Sequence, residues 1–367
     1  MSLRQHLSRG GVLLSLLVIL SGMSIPLASA AAPPSGTSAA ASNGPLNLVV
    51  SPPSIGLTTK PGTPVSTEIK LRNQGLSTEH LVVNLLKFGA NGQDGTPAIQ
   101  DIVPSDEFGQ WMKFSRTHFD ADPNVWESIT VTISPPKDAA FGYYYAVVFS
   151  RDSANIQKST KANNFLASVA SLILLDVQSP KAVRKVYIAE FSTAHKVQEF
   201  LPATFKVRLF NSGNTHVAAR GNIDIFKGSK NLGIIEVNIH KGYILPQTYR
   251  LFTSQWMDGS PLYQQKVADS KVVLDKNNKE VTTLNWNNFS VGKLRFGKYT
   301  AKLVLVYNDG QGDVPINAQL DFWVIPWRIL AVFLVLLIMF GTTLWILVIR
   351  PLKRRLRQGN KHNARRF

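Results

Sequence analysis

Not one of the 367 residues is a cysteine. Such a chain closes no disulfide, builds no thiolate metal site and carries no lipid on a cysteine, so its fold stands on its packed core alone. Other absences narrow the chemistry. His80, His118, His195, His216 and His240 fall in no metal-ligand spacing, and there is no G-x-S-x-G, no phosphate-binding glycine loop and no close carboxylate pair in a glycosidase setting. Asp120-Ala121-Asp122-Pro123-Asn124 starts like a calcium loop but has Trp126 where that loop needs glycine and no glutamate at its twelfth position. The sequence thus implies a chain that is not an enzyme and holds neither metal nor cofactor.

Acidic residues are also scarce, 23 against 40 lysines and arginines, for a formal charge of +17. Where that charge sits removes the signal for a nucleic-acid partner, and none is expected. Eleven cations, Arg4, Arg9, Arg328 and the eight of the last 18 residues, lie in segments without any acid, and removing them leaves a mild +6 for everything between.

The two ends read as export and anchoring signals. Arg4 and Arg9 precede an apolar run, Val12 to Leu20, too short to span a bilayer, followed by Ala28-Ser29-Ala30; this predicts a signal peptide over residues 1–30, with Ala28 and Ala30 as the small cleavage-site residues. Residues 31–45, made of Ala, Pro, Ser, Gly, Thr and Asn, are expected to be a disordered lead-in. Near the C-terminus, Ile329 to Ile349 is 21 residues without a charge, predicting a membrane helix within 325–349. Trp323, Trp327 and Arg328 suit its outer interface, and Arg350 opens a basic tail, 350–367, that the positive-inside rule places in the cytoplasm with the rest of the mature chain outside.

Between these ends, short β-branched and aromatic runs alternate with Pro, Gly and Asn clusters, an all-β pattern. Two motifs recur in order. Ile69-Lys70-Leu71-Arg72-Asn73-Gln74-Gly75 is matched by Val207-Arg208-Leu209-Phe210-Asn211-Ser212-Gly213, and Phe141-Gly142-Tyr143-Tyr144-Tyr145-Ala146 by Phe296-Gly297-Lys298-Tyr299-Thr300-Ala301. The repeat predicts two tandem immunoglobulin-like β-sandwiches, over 46–180 and 181–324, with Ala146 and Ala301 standing where a disulfide cysteine would be after a tyrosine corner. The second copy is longer, chiefly over Trp256 to Arg295. With no flexible stalk before the helix, it should stand close to the bilayer.

Two sets of residues are candidates for a ligand surface. Asn285-Trp286-Asn287-Asn288-Phe289 interleaves rings with amides, which suits stacking on a sugar face; the simpler reading buries Trp286 as the core of its loop. Tyr143 and Tyr145 share a face opposite Tyr144, forming either an exposed aromatic patch or ordinary cross-strand packing. Leu245-Pro246-Gln247-Thr248 lacks the glycine of a wall-sorting signal and lies far from the helix, which leaves the helix itself as the anchor.

The layout resembles the WxL-interacting surface proteins of Gram-positive bacteria. The resemblance rests on Val50-Ser51-Pro52-Pro53 opening the first domain, Lys60-Pro61-Gly62 before the strand that ends at Asn73, Asn91-Gly92 in the next loop, and Phe165 to Val177 as a long closing strand. It implies a non-catalytic, membrane-anchored protein whose first domain is associated with peptidoglycan and whose second engages host or partner proteins; the function expected is binding of a cell-wall polymer or another surface protein. The alternative is an accessory subunit of a membrane complex, assembled through the ectodomain and the helix.

Overall fold

A computed structural model describes residues 45–152, 168–268, 270–287, 289–351 and 353. Ala28, Ala30, the lead-in up to residue 44, Phe165 and the tail after Lys353 lie outside the described residues.

Alternating apolar residues build a first sandwich of two sheets. One runs Leu48–Ser51, Val65–Asn73, Trp126–Ile133 and Met112–Phe114 in that spatial order; the other runs Ser54–Thr59, Ser168–Val177, Phe141–Arg151, Glu79–Asn91 and Thr96–Gln100. The chain starts antiparallel to Val65–Asn73 and then crosses to lie parallel to the last strand. Ile69, Leu71, Ile129, Val131, Tyr145, Val147, Phe149, Ile173 and Leu175 fill the space between the sheets. Burial of each such side chain contributes roughly 1.5–3 kcal/mol.

The second sandwich repeats the plan. Val186–Thr193, Ala203–Asn211 and Tyr249–Trp256 face Val197–Gln198, Asp313–Val324, Gly297–Asn308, Arg220–Lys227 and Lys230–Val237. Again the opening segment pairs first with one sheet and then parallel to the final strand. The protein is therefore all-β, two tandem immunoglobulin-like sandwiches, followed by one apolar helix.

The Asn-x-Gly repeat has a mechanism. Asn73 is fully buried; its Nδ2 donates to the carbonyls of Ser77 (2.7 Å) and Ala121 (2.9 Å), and its Oδ1 accepts from Gly75 N (2.8 Å). Asn211, equally buried, donates to Thr215 O and Ile244 O (2.8 Å each) and accepts from Gly213 N (2.9 Å). One amide thus holds the turn after the strand and ties it to a segment far along the chain.

The second repeat is real but shifted. Tyr143 Oη donates to Ala140 O (2.9 Å) and Tyr299 Oη to Phe296 O (3.4 Å), both three residues upstream, so Tyr143 corresponds to Tyr299 and Phe141 to Gly297. Phe141 and Gly297 share the same positive φ, 103° and 106°. The expectation for Ala146 is accordingly corrected: Tyr145, not Ala146, occupies the position of Ala301, fully buried with its hydroxyl on Phe108 O (3.1 Å), while Ala146 faces away from that core.

The helix Trp327–Ile349 is 23 residues long with a mean hydropathy of 2.8, long and apolar enough to cross a membrane. It begins three residues after the strand ending at Val324, and Ile325 N donates to Gln198 O (2.7 Å), so no stalk intervenes. Gly297 pairs with Val324, Ala203 with Trp256, and Trp323 with Val197. These pairings put the departure and return of the segment Met257 to Phe296 at the same pole of the sandwich as the helix start. The first domain packs on the opposite pole.

If each buried amide carries its turn, Asn73→Ala and Asn211→Ala should each lower stability by roughly 2–5 kcal/mol, because two buried carbonyls lose their donor. Asn222→Ala, at an exposed strand position, should stay within about 0.5 kcal/mol. Urea unfolding of the three variants measures the difference; equal, small losses would show the amides to be dispensable.

Candidate functional site

The turn held by Asn211 meets the first domain. Asn214 receives Val183 N on its Oδ1 (2.7 Å), donates from Nδ2 to Lys181 O (2.9 Å), and accepts Gly142 N on its carbonyl (3.2 Å), so one residue holds both the linker and the first domain's end. Arg184 of the linker forms a largely buried ion pair with Asp176. Gly213 has no alternative here, since a Cβ would stand 2.1 Å from Val183 O. Beside this knot, His216 lies edge-on between Tyr144 (5.7 Å) and Tyr243 (4.7 Å).

Burial holds the His216 imidazole down to about 4, with Arg184 acting in the same direction and Asp176 opposing. Its Nδ1 is buried without a hydrogen-bond partner. Burial likewise pushes the Tyr144 hydroxyl well above the usual phenol range.

Next to the knot, the loop from Asn238 to Thr248 reaches over the first domain's larger sheet, in which His118–Ala121 also pairs with Glu79–Asn91. Asn238 shapes it, donating to Ala219 O (2.8 Å) and Gly242 O (3.0 Å) and accepting Gly242 N (2.6 Å). The outward face of that sheet is apolar, with Phe88, Ala146, Val148 and Leu174 buried and Leu245 of the loop packed against them. Leu251 N donates to Gln93 O (2.6 Å), closing the far side.

Between loop and sheet lies a cleft of about 400 Å³, lined by Phe88, Leu172, Leu174, Tyr243, Leu245 and Arg250 among others. Arg250 donates to Tyr243 O (2.5 Å), yet its buried Nε has no partner. Burial lowers its guanidinium from the ordinary value, with the Asp94 carboxylate opposing. The floor is apolar, one wall carries a cation with unused hydrogen-bonding capacity, and at Gly95 a Cβ would come within 2.4 Å of that guanidinium. Such a cleft suits an extended apolar segment ending in, or passing, an acceptor oxygen. Among the described residues no group of three or more His, Cys, Asp or Glu is placed to hold a metal ion.

The residues singled out from sequence lie elsewhere. Tyr145 is fully buried and Tyr143 half-buried against Phe108 and Trp111, so these two form no exposed patch: the corner turns both inward. Trp286 and Phe289 are 48% and 42% exposed with their rings 5.5 Å apart, which corrects the simpler reading of a buried loop core. Trp286 meets the domain's Phe200 edge to face at 6.2 Å. Asn285 Nδ2 donates to Gln264 Oε1 (2.8 Å) and its Oδ1 accepts Asn287 N (2.7 Å), so the Asn285 side chain shapes this turn and Asn287 joins it through its backbone. Trp323, Trp327, Arg328 and Arg350 are exposed at the two ends of the helix.

His216, Tyr243, Asn214 and Arg250 were not reached from sequence. Each acts across a contact between domains, and nothing in local spacing marks it; the Tyr143–Tyr145 run is the one signal, since three consecutive rings on a strand must serve both faces.

No family model and no curated protein matches the chain. Among solved structures it is similar to the class 5 fimbriae chaperone CfaA (14% identity, 73% of this chain and 97% of that one, TM-score 0.34). It is also similar to the CsuC–CsuE chaperone–tip subunit pre-assembly complex of Acinetobacter baumannii (10%, 74% and 97%, TM-score 0.33) and to a PapD-like domain of human CEP192 (11%, 37% and 87%, TM-score 0.25). The assignment of the fold rests on this chain's own strand pairing.

With a native value near 4 against 6.5 for the free side chain, the unfolded chain takes up a proton that the fold refuses. Stability is therefore full above about pH 6.5 and falls as pH drops toward 4, by up to about 3 kcal/mol. His216→Gln should remove this component, so the wild-type-minus-variant difference in unfolding free energy should shrink between pH 7 and pH 4.5; a pH-independent difference would contradict the buried neutral ring.

Proposed function

We propose that this chain is a non-catalytic protein of the cell surface, anchored by the helix Trp327–Ile349 with its sandwiches outside and its basic tail inside, and that it binds a segment of another surface protein in the cleft between its domains. The cleft is the observation that carries the reading: an apolar floor built on the spare face of a sheet, walled by a second domain and carrying a guanidinium with a free nitrogen. Apolar floor supplies affinity, and the directional donor fixes register.

The anchoring half rests on the apolar helix, free of charge from Ile329 to Ile349, and the basic residues that follow it. The resemblance to WxL-interacting surface proteins agrees with this layout and adds a wall polymer as a second candidate ligand. A wall polymer is the less favoured ligand for the cleft itself, since glycan sites present exposed rings and this floor presents aliphatic side chains and a buried Phe88.

Two measurements test the reading. A photoactivatable residue at exposed Thr96, on the rim, should give on intact cells a protein adduct of defined mass that Arg250→Ala diminishes, whereas the same residue at Ser66, on the other sheet, should give none. Equal adducts from both positions would remove the cleft. Protease on wall-stripped cells should degrade the sandwiches and spare an epitope placed after Phe367; loss of that epitope with membranes sealed would reverse the topology.

A further inference from the structure

The longest departure of the second domain from the first, Met257 to Phe296, lies in the connection between Tyr249–Trp256 and Gly297–Asn308, at the pole from which the helix leaves. Its hairpin, Leu262–Gln265 against Thr282–Asn285, is fastened to the root of that helix. Tyr263 Oη donates to Glu199 Oε2 (2.9 Å), and Arg328 Nε, one residue into the helix, lies 3.5 Å from Glu199 Oε1. The next residue, Phe200, meets Tyr263 (6.1 Å) and Trp286 (6.2 Å), and Trp286 meets Phe289. Two adjacent residues therefore join the helix's first turn to the aromatic tip of the inserted segment.

That tip is apolar and uncovered. Val291 is 76% exposed and Phe296 50%, alongside the half-exposed Trp286 and Phe289, and Trp323 and Trp327 are exposed around the helix start. Lys227 Nζ, on Phe296 O (2.8 Å), and Arg328 add cations at the same pole. Large rings with polar edges, set beside cations at the level where a spanning helix meets water, match the chemistry of the headgroup layer, where apolar area is desolvated while ring edges and charges stay hydrated.

We propose that Trp286, Phe289 and Val291 dock on the outer surface of the same bilayer that the helix enters, so that the inserted segment is a second membrane contact that fixes the tilt of the rigid ectodomain. This rests on the reading of Trp327–Ile349 as a membrane span. Continuity selects the bilayer over a partner protein: the tip is tied through Glu199 and Phe200 to the helix root, whereas the proposed binding cleft lies at the other pole.

A chain without cysteine allows a clean test. Full-length protein carrying Val291→Cys, Ile239→Cys or Phe340→Cys is labelled with a polarity-sensitive fluorophore and reconstituted, at low protein-to-lipid ratio, in vesicles of phosphatidylcholine and phosphatidylglycerol; Ile239 is an exposed residue at the far pole and Phe340 lies within the helix. The probe at 291 is expected to shift to the blue, to be quenched by a headgroup-proximal nitroxide lipid and to lose quenching by iodide, as for a group held roughly 5–10 Å into the interface. The probe at 239 should stay iodide-accessible, and that at 340 should answer only to a deep nitroxide. A probe at 291 that behaves like 239, with 340 still deep, overturns the docking and leaves the span intact; iodide access at 340 overturns both. Adding Trp286→Ser with Phe289→Ser should return the 291 probe to water, and an unchanged signal would show that the rings do not make the contact.

Discussion

The fully buried amide of Asn211 is the interaction on which the geometry of the two sandwiches turns. By occupying two carbonyls and one N–H it fixes the turn Ser212–His216, and that turn carries the polar contacts between the second domain, the linker and Gly142. Asn214 binds the linker and Gly142, and His216 enters between Tyr144 and Tyr243. Its second acceptor, Ile244 O, belongs to the loop that roofs the cleft, so one side chain sets both the junction and the cleft's far wall. An unsatisfied buried carbonyl costs about 1–3 kcal/mol, which makes this arrangement strongly preferred over a slipped turn.

The absence of cysteine explains how the two cores differ. Where an immunoglobulin-type disulfide would cross the sandwich, the first domain places Tyr145, whose ring meets Phe108 at 5.4 Å, and the second places Ala301 beside the Trp256, Tyr299 and Phe322 cluster. Aromatic pairs in such cores contribute about 0.5–1.5 kcal/mol beyond their buried area, so several of them match what one disulfide contributes. Both solutions keep the corner tyrosine hydrogen bond, which is local and independent of the cross-link.

What was legible in the sequence follows the same division. Asn-x-Gly could be read because the amide, the N–H that donates to it and one carbonyl lie within four residues of one another, and strand alternation pointed to the sandwich class. Phe-Gly-x-Tyr-x-Ala was read one residue out of register, because the positive-φ slot is filled by Phe141 in one domain and by Gly297 in the other. A search that aligns glycines cannot see that the first domain places a bulky residue in a conformation that favours glycine. Trp286 was read as more simply buried, since ring content alone does not say whether a loop folds inward; only the seat on Phe200 decides it. The cleft was invisible, because it needs Phe88, Leu174 and Leu245, three residues far apart in sequence that meet only when one domain's loop covers the other's sheet.

A rigid junction changes what the pole from which the helix leaves can do. Were the two sandwiches to swing freely about Gln178–Arg184, orienting the second on a bilayer would leave the first unconstrained. Here Arg184 and Asp176 are paired and largely buried, and Asn214 holds three backbone partners across the joint, so the two domains turn as one body. The helix start is fastened with equal economy, through Gln198, Glu199 and the strand Asp313–Val324. Orientation set at one end is therefore transmitted to the other, and a second membrane contact beside the helix would hold the cleft at a defined height and angle above the surface. That is the advantage of placing the inserted segment between Trp256 and Gly297: at the opposite pole the same aromatic residues would compete with the interdomain contacts for the space beside Asn214.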